Sequence, residues 1–434
     1  MTRRRRAGAR VRTRRRAYSS GCARVPRPPR VAMPPPPAAN PPLDPAAAPL
    51  AHGRTTMLLL NVAHALDHLV LLIFATAVGA IAADFGVARW EDLMPYATGA
   101  FVLFGLGSVP AGRLGDHWGR RAMMLVFLFG IGASCLLAAV TRNAWQLAGA
   151  LTVMGAFASI YHPVGIPMLV QGATRPGTVI GVNGLAGNLG IAAGAVLTGL
   201  TVKYLGWRMA FVIPGLLSLA FGVLFAVAVP RETAPPAKRA PRQSDLPASE
   251  LARVVLILTL TSTCGSLLFN FTTNGNGELL TDRMRAVTAD PAALGALLGL
   301  VYAIASFAQL VVGRAIDRFP LKRLFLVIVL AQIPLFALAM FAQGWAFYAL
   351  AIAFMAFVFG AIPFTDALIV RYVDDRMRSR VAGVRLAIAF GVSSLAVWLL
   401  GPLVKANGFA FLLGLMAAIA AVAAVGVTLL PRGR

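Results

Sequence analysis

The sequence predicts an all-α polytopic membrane protein: twelve transmembrane helices in two repeated six-helix bundles, with both chain termini cytoplasmic. Three observations lead there: an apolar composition, a succession of apolar runs of spanning length, and an internal repeat. Of 434 residues, 58% are hydrophobic and 13% charged, and the mean hydropathy is +0.74. An average soluble domain carries about 25% charged residues, and a surface this poor in charge would not keep such a chain dispersed. Cys22, Cys135 and Cys264 form no CxxC pattern, which leaves a disulfide scaffold or a structural zinc site unsupported.

Residues 1–56 differ from the rest and form an Arg/Pro-rich N-terminal extension. They hold 13 of the 40 Lys and Arg, one acid (Asp44) and 11 of the 28 prolines, including Pro34 to Pro37. Such a segment buries too little apolar surface to offset the ordering of its backbone, so disorder is expected. Two readings stay open. The arm binds nucleic acid or anionic lipid through unspecific charge, or it is a solvated tail or translated upstream segment, with Met33 or Met57 as the start. No specific nucleic-acid partner is expected. A secretory signal is not, because proline intervenes before the first apolar run.

The apolar runs fall at 57–83, 93–112, 122–140, 144–170, 177–201, 207–230, 251–274, 292–313, 323–342, 344–370, 381–403 and 407–430. A helix rises 1.5 Å per residue, so ~20 residues cross ~30 Å of hydrocarbon. Barrel strands would instead alternate in segments of about 10 residues. With both termini inside, inner loops carry 19 Lys and Arg and outer loops 7, the bias that fixes orientation.

The chain also repeats itself. Trp145 and Pro163 have the same spacing as Trp345 and Pro363, and Gly112-Arg-Leu-Gly-Asp116 returns as Gly313-Arg-Ala-Ile-Asp317. This divides the chain into bundles at 57–230 and 251–430, joined by a cytoplasmic linker at 231–250. Repeats arranged around a midplane site are a recurring plan of secondary transporters.

The loop Gly112-Arg-Leu-Gly-Asp116-His-Trp-Gly119-Arg120-Arg121, its weaker copy ending at Arg323, and Gly206-Trp207-Arg208 resemble the major facilitator superfamily over nearly all of 57–430. Within it, Ala63-His64-Ala-Leu-Asp67-His68 and Tyr161-His162-Pro163 resemble the fosmidomycin-resistance branch. In that branch a His is typically followed by an Asn-Asp pair, so the acid here stands one place early. The glycine-rich fifth helix resembles the antiporter signature, with Ala195 where proline is usual. The resemblance implies proton-driven drug efflux from a bacterial inner membrane.

Gating falls to the motif loop. Gly112 and Gly119 permit close or positive-φ backbone, while Asp116 and Arg120, with Asp317 in the copy, provide charges for closing the inner side. The plainer alternative, a positive-inside loop, leaves the acid unexplained.

Ionisable groups inside spans are costly there and mark function. Asn61, His64, Asp67 and His68 recur at helical spacing on the first helix, and Asp67 is expected to face the central cavity near mid-bilayer. His162 enters from the fourth helix at much the depth of His64. The set His64, Asp67, His68 and His162 is the proton-coupling candidate, with hydrogen-bonded packing as the alternative. Asn61, Tyr161, Asn183, Asn188, Asn270 and Arg385 are substrate-cavity candidates, with Asn274 and Asp366 as weaker ones. Pro163 is expected to kink its helix and free a carbonyl.

No Walker loop, HExxH or nucleophile cluster occurs, which argues against an enzyme and against ATP-driven transport within this chain. The expectation is a monomeric transporter of a small organic solute, without cofactor, driven by the proton gradient across the lipid bilayer. Export of drug-like or toxic compounds comes first, uptake of a small organic anion second, and a non-transporting membrane sensor last.

Overall fold

The computed structural model describes residues 53–171, 176–231, 248–316, 318–372 and 375–430. The extension up to residue 52, the linker over 232–247 and Asp317 lie outside the described residues, as do the side chains of Asp366 and Arg385.

The described chain is helical throughout. Its elements are α1 (Arg54–Asp84), α2 (Trp90–Leu93), a 3₁₀ turn (Met94–Ala97), α3 (Thr98–Leu106), α4 (Ser108–Trp118) and α5 (Arg120–Ala139). There follow α6 (Ala144–Ala158), α7 (Tyr161–Val170), α8 (Pro176–Tyr204) and α9 (Trp207–Ala228). After the linker come α10 (Ala248–Arg283), α11 (Pro291–Ile316), α12 (Leu321–Ala339), α13 (Gly344–Tyr372) and α14 (Asp375–Thr428). Among the described residues ten helices are long and apolar enough to cross a membrane, or eleven if a bent pair is one span.

That pair runs over Trp90–Leu106 and Ser108–Trp118 and is bent by 46°. Pro110 stands in the first turn of α4 and has no N–H to return to the preceding turn, a sufficient cause of the bend. In α14 the apolar stretch Ala387–Thr428 has 42 residues, ~63 Å if straight, about twice the hydrocarbon thickness. Gly408, at φ 76° and ψ 173°, breaks it into two helices. Gly119 (φ 89°) and Gly206 (φ 86°) likewise precede α5 and α9, a conformation that other L-residues rarely hold. Where the repeat would place a second Gly119 stands Pro320, just ahead of α12.

The two Trp–Pro copies behave differently. Trp345 and Pro363 share the single helix α13, whereas the first copy breaks between Ala158 and Tyr161 into α6 and α7. The expected kink at Pro163 therefore lies ahead of that residue. Pro163 occupies the first turn of α7, as Pro110 does that of α4, and has no N–H to return to the turn before it.

Helix contacts cross from the amino-terminal helices α1–α9 to the carboxy-terminal helices α10–α14, chiefly where α8 packs on α11, α3 on α14 and α1 on α10. Small residues make close approach feasible. A Cβ on Gly199 would stand 2.8 Å from Gly295 Cα, so α8 and α11 touch backbone to backbone. A Cβ on Gly190 would fall 2.1 Å from the Ala65 carbonyl oxygen, which seats α8 equally close on α1.

Candidate functional site

One polar network ties α1, α7 and α8 together. Asn183 Nδ2 donates to Asn61 Oδ1 at 2.9 Å and to the Tyr161 hydroxyl at 2.7 Å, and that hydroxyl donates to the Leu60 carbonyl at 2.8 Å. The Asn183 carbonyl lies 2.7 Å from His64 Nδ1. A carbonyl can only accept, so His64 carries its hydrogen on Nδ1. In the uncharged ring Nε2 is then the acceptor, and His68 Nε2 donates to it at 3.1 Å. The His64 ring stacks on Tyr161, with centroids 4.5 Å and planes 8° apart.

His162 completes the group from α7. Its ring stands edge-on to His64 at 5.1 Å and to His68 at 5.8 Å. One ring nitrogen from each of the three imidazoles lies within 4.8 Å of the others, near enough for them to share a proton or an ion.

All three line a cavity of about 260 Å³ between the amino-terminal and carboxy-terminal helices. Asn188 and Asn270 line it as well, and Asn274 stands beside Asn270. Asn270 Nδ2 donates to the Ser266 carbonyl, and Asn274 Nδ2 to the Asn270 carbonyl. Asn61, Tyr161 and Asn183 stay behind this wall and hold it. Gln309 and Gln332 are cavity-lining amides that the sequence reading missed. Each is a lone amide within an apolar run, the signal that would have found them.

Asp67 corrects the expected geometry. Its side chain is fully buried, it does not line the cavity, and neither carboxylate oxygen has a hydrogen-bond partner among the described residues. At three residues from His64 it is turned about 60° to one side of that ring, whereas His68, at four residues, is turned about 40° to the other. The imidazoles face the cavity and the acid turns into the packing.

The motif loop divides at Gly119. Asp116 lies in the last turn of α4, exposed and without an ion pair among the described residues, while Arg120 begins α5 and donates to Gln171 Oε1 at 3.2 Å. The positive-φ glycine between them interrupts the helix that an Asp116–Arg120 pair would need. Arg121 donates to the Ala226 and Val229 carbonyls and so caps the end of α9. Gly112 packs close on α7, where a Cβ would meet that of Pro163 at 3.3 Å.

At the other end of the helices two ion pairs bridge the two sets. Lys203 meets Asp290 at 2.7 Å, and Lys405 meets Asp92 at 2.5 Å. Beside the first pair, Glu278, Thr76 and Thr281 line a second cavity of about 350 Å³. A Cβ on Gly79 would stand 3.0 Å from Glu278 Oε1. Glu278 lies in α10 beyond the apolar run 251–274, and the sequence reading passed over it.

The family model described as Major Facilitator Superfamily matches residues 60–281. The chain belongs to that superfamily. Its members are secondary transporters, not enzymes, and generally use ion gradients where other proteins bind cofactors. This member is a multi-pass bacterial membrane protein of that fold.

The chain is 29% identical to a chloramphenicol resistance protein of Streptomyces lividans over 75% of its own length and 82% of that protein's. It is 32% identical to the puromycin resistance protein pur8 of Streptomyces alboniger, over 22% of this chain and 20% of that one. Against pur8 the superfamily member thus spans about a fifth of the relative's length. A bacterial homologue of the human lysosomal transporter Spinster, crystallised inward-facing and unoccupied, superposes with a TM-score of 0.64 at 16% identity. The alignment covers 86% of this chain and 92% of that one.

Proposed function

We propose that this chain is a proton-coupled secondary transporter working by alternating access, and that it exports drug-like or toxic organic compounds from a bacterial inner membrane. One observation carries the reading: a central cavity walled by three imidazoles, with two ion pairs joining the helix sets at the opposite end. Two six-helix bundles, 57–230 and 251–430, rock about this cavity as a monomer. The break at Gly408 supports counting α14 as two spans and the bent pair as one, giving twelve. With both termini cytoplasmic, the ion-paired end is the outer one and the cavity faces inward. Asp116, without an ion pair among the described residues, then stands at an open inner gate with Gly112, Gly119 and Arg120.

His64, His68 and His162 take up and pass on the coupling proton, since imidazole exchanges protons in the working pH range. Asp67 joins them when rocking parts the helices that now enclose it. The likeness to the fosmidomycin-resistance branch rests on Ala63 to His68 and Tyr161 to Pro163. The resistance proteins among the relatives support efflux as the direction.

Proteoliposomes holding the full chain and a library of drug-like solutes, under an imposed pH gradient, test this. Solute should move against the proton flow. Movement with the protons would make the chain an importer of organic anions, and flux indifferent to the gradient would remove proton coupling.

A further inference from the structure

We propose that the central cavity takes an uncharged aromatic compound that both donates and accepts hydrogen bonds, read by Asn188 from one helix set and Gln332 from the other. This rests on the reading of the cavity as the transport site and adds the class of solute.

Charge comes first. Among the described residues lining the cavity there is no Asp, Glu, Lys or Arg. A permanent cation would enter without a counter-charge, and an anion would find no fixed positive charge, only imidazoles, of which His64 and His68 are already bonded to one another and His64 to a carbonyl. An ion stripped of water and left unpaired is strongly disfavoured.

Shape comes second. Phe101 and Phe104 from α3 and Phe269 from α10 line the cavity, one helix from each set. Phe104 stands edge-on to His162 at 5.7 Å, so this wall is already ordered for contact with another ring.

Hydrogen bonding decides the class. Asn188 on α8 and Gln332 on α12 are almost wholly buried, and both line the cavity. Asn188 Nδ2 donates to nothing and Gln332 Oε1 accepts from nothing among the described residues. The side-chain nitrogens of Asn270 and Asn274, by contrast, donate to carbonyls of their own helix. Buried polar atoms are nearly always paired, so one orphaned donor and one orphaned acceptor call for a ligand with the complementary groups. Because the two come from different helix sets, one molecule bonding both would bridge them.

The test is equilibrium binding to the full chain in lipid nanodiscs without any gradient. The probes are chloramphenicol (an uncharged aryl amide with hydroxyls), 4-hydroxybenzoate (an aromatic anion) and tetraphenylphosphonium (an aromatic cation). Chloramphenicol should bind saturably and the two ions should not. Gln332→Met removes the acceptor and should weaken chloramphenicol about tenfold. Asn188→Asp replaces only a nitrogen that bonds nothing and adds a negative charge, so it should gain tetraphenylphosphonium binding about tenfold or more. That gain is one a purely structural residue would not give, and it stands even if Gln332→Met fails to fold.

Failure of chloramphenicol to bind would overturn the proposal. So would ions bound as tightly by the unaltered chain, or no gain of cation in Asn188→Asp. Because no gradient is imposed, each of these leaves proton-coupled efflux standing. Binding as expected without pH-driven flux would sink the coupling alone.

Discussion

Lys203, in the last turn of α8, and Asp290, the residue before α11, meet at 2.7 Å across the boundary between the amino-terminal and carboxy-terminal helices. The Lys203 ammonium hydrogen-bonded to it holds the Asp290 carboxyl below its usual range. A carboxyl depressed in this way contributes fully above the ordinary value of ~3.9 and loses its contribution as pH falls through the lowered one. The pair is therefore constant between about pH 5.5 and 8.

Breaking the outer pairs should loosen that end without altering the pH response. In Asp290→Asn combined with Asp92→Asn, alkylation of a cysteine placed at Thr76 is expected to quicken a few-fold, a modest effect because exposed pairs are weak. The pH profile of transport over that window should keep its shape. A displaced profile would make the pair a proton sensor, contrary to its titration range.

Asp67→Asn separates stability from function. A buried carboxyl with no partner among the described residues adds nothing to the fold that a neutral amide would not, and the amide is easier to bury. The thermal midpoint of the purified variant should stay level or rise, while proton-driven flux falls about tenfold or more. A large drop in midpoint would expose a partner for Asp67 and recast it as a structural residue.

Asn183→Ala should act in the opposite way, through the fold. It strips Asn61 and Tyr161 of a shared donor but leaves the backbone carbonyl that holds His64. Leaving such groups unpaired costs about 1–3 kcal/mol, to be read as a lowered midpoint in detergent. The solute specificity of the surviving protein should be unchanged.

Three glycines of α8 grade by what stands opposite. A Cβ on Gly187 would come within 2.6–2.8 Å of three His64 ring atoms, so Gly187→Ala should insert normally and lose transport as the ring is displaced. On Gly190 the obstacle is the Ala65 backbone, which cannot yield, and Gly190→Ala should sharply reduce folded protein on size-exclusion chromatography. Gly181 faces open space, and Gly181→Ala should be silent in both assays.

Much of this was legible in the sequence and part was not, for definite reasons. Hydropathy placed the helices well, because the bilayer imposes a length that any spanning run must meet. The gap between the runs 381–403 and 407–430 falls within a few residues of Gly408, where α14 breaks into two helices. Helical spacing put His64 and His68 on one face and depth matched them with His162, and all three meet. Spacing alone could not say which flank of His64 turns to the cavity, so Asp67 was assigned to the wrong side. Gln309 and Gln332 escaped because a single amide in an apolar run belongs to no motif, and Glu278 because α10 continues past the run that ended at 274.

Where α8 and α11 cross at Gly199 and Gly295, two ribbons lie flush, and no side chain stands between them at that point. Interlocked side chains act like gear teeth and must jump a notch at a time. A smooth crossing works as a plain bearing, letting one helix roll through small angles over the other with little friction. A single methyl group there would add a tooth and turn a continuous roll into a stop.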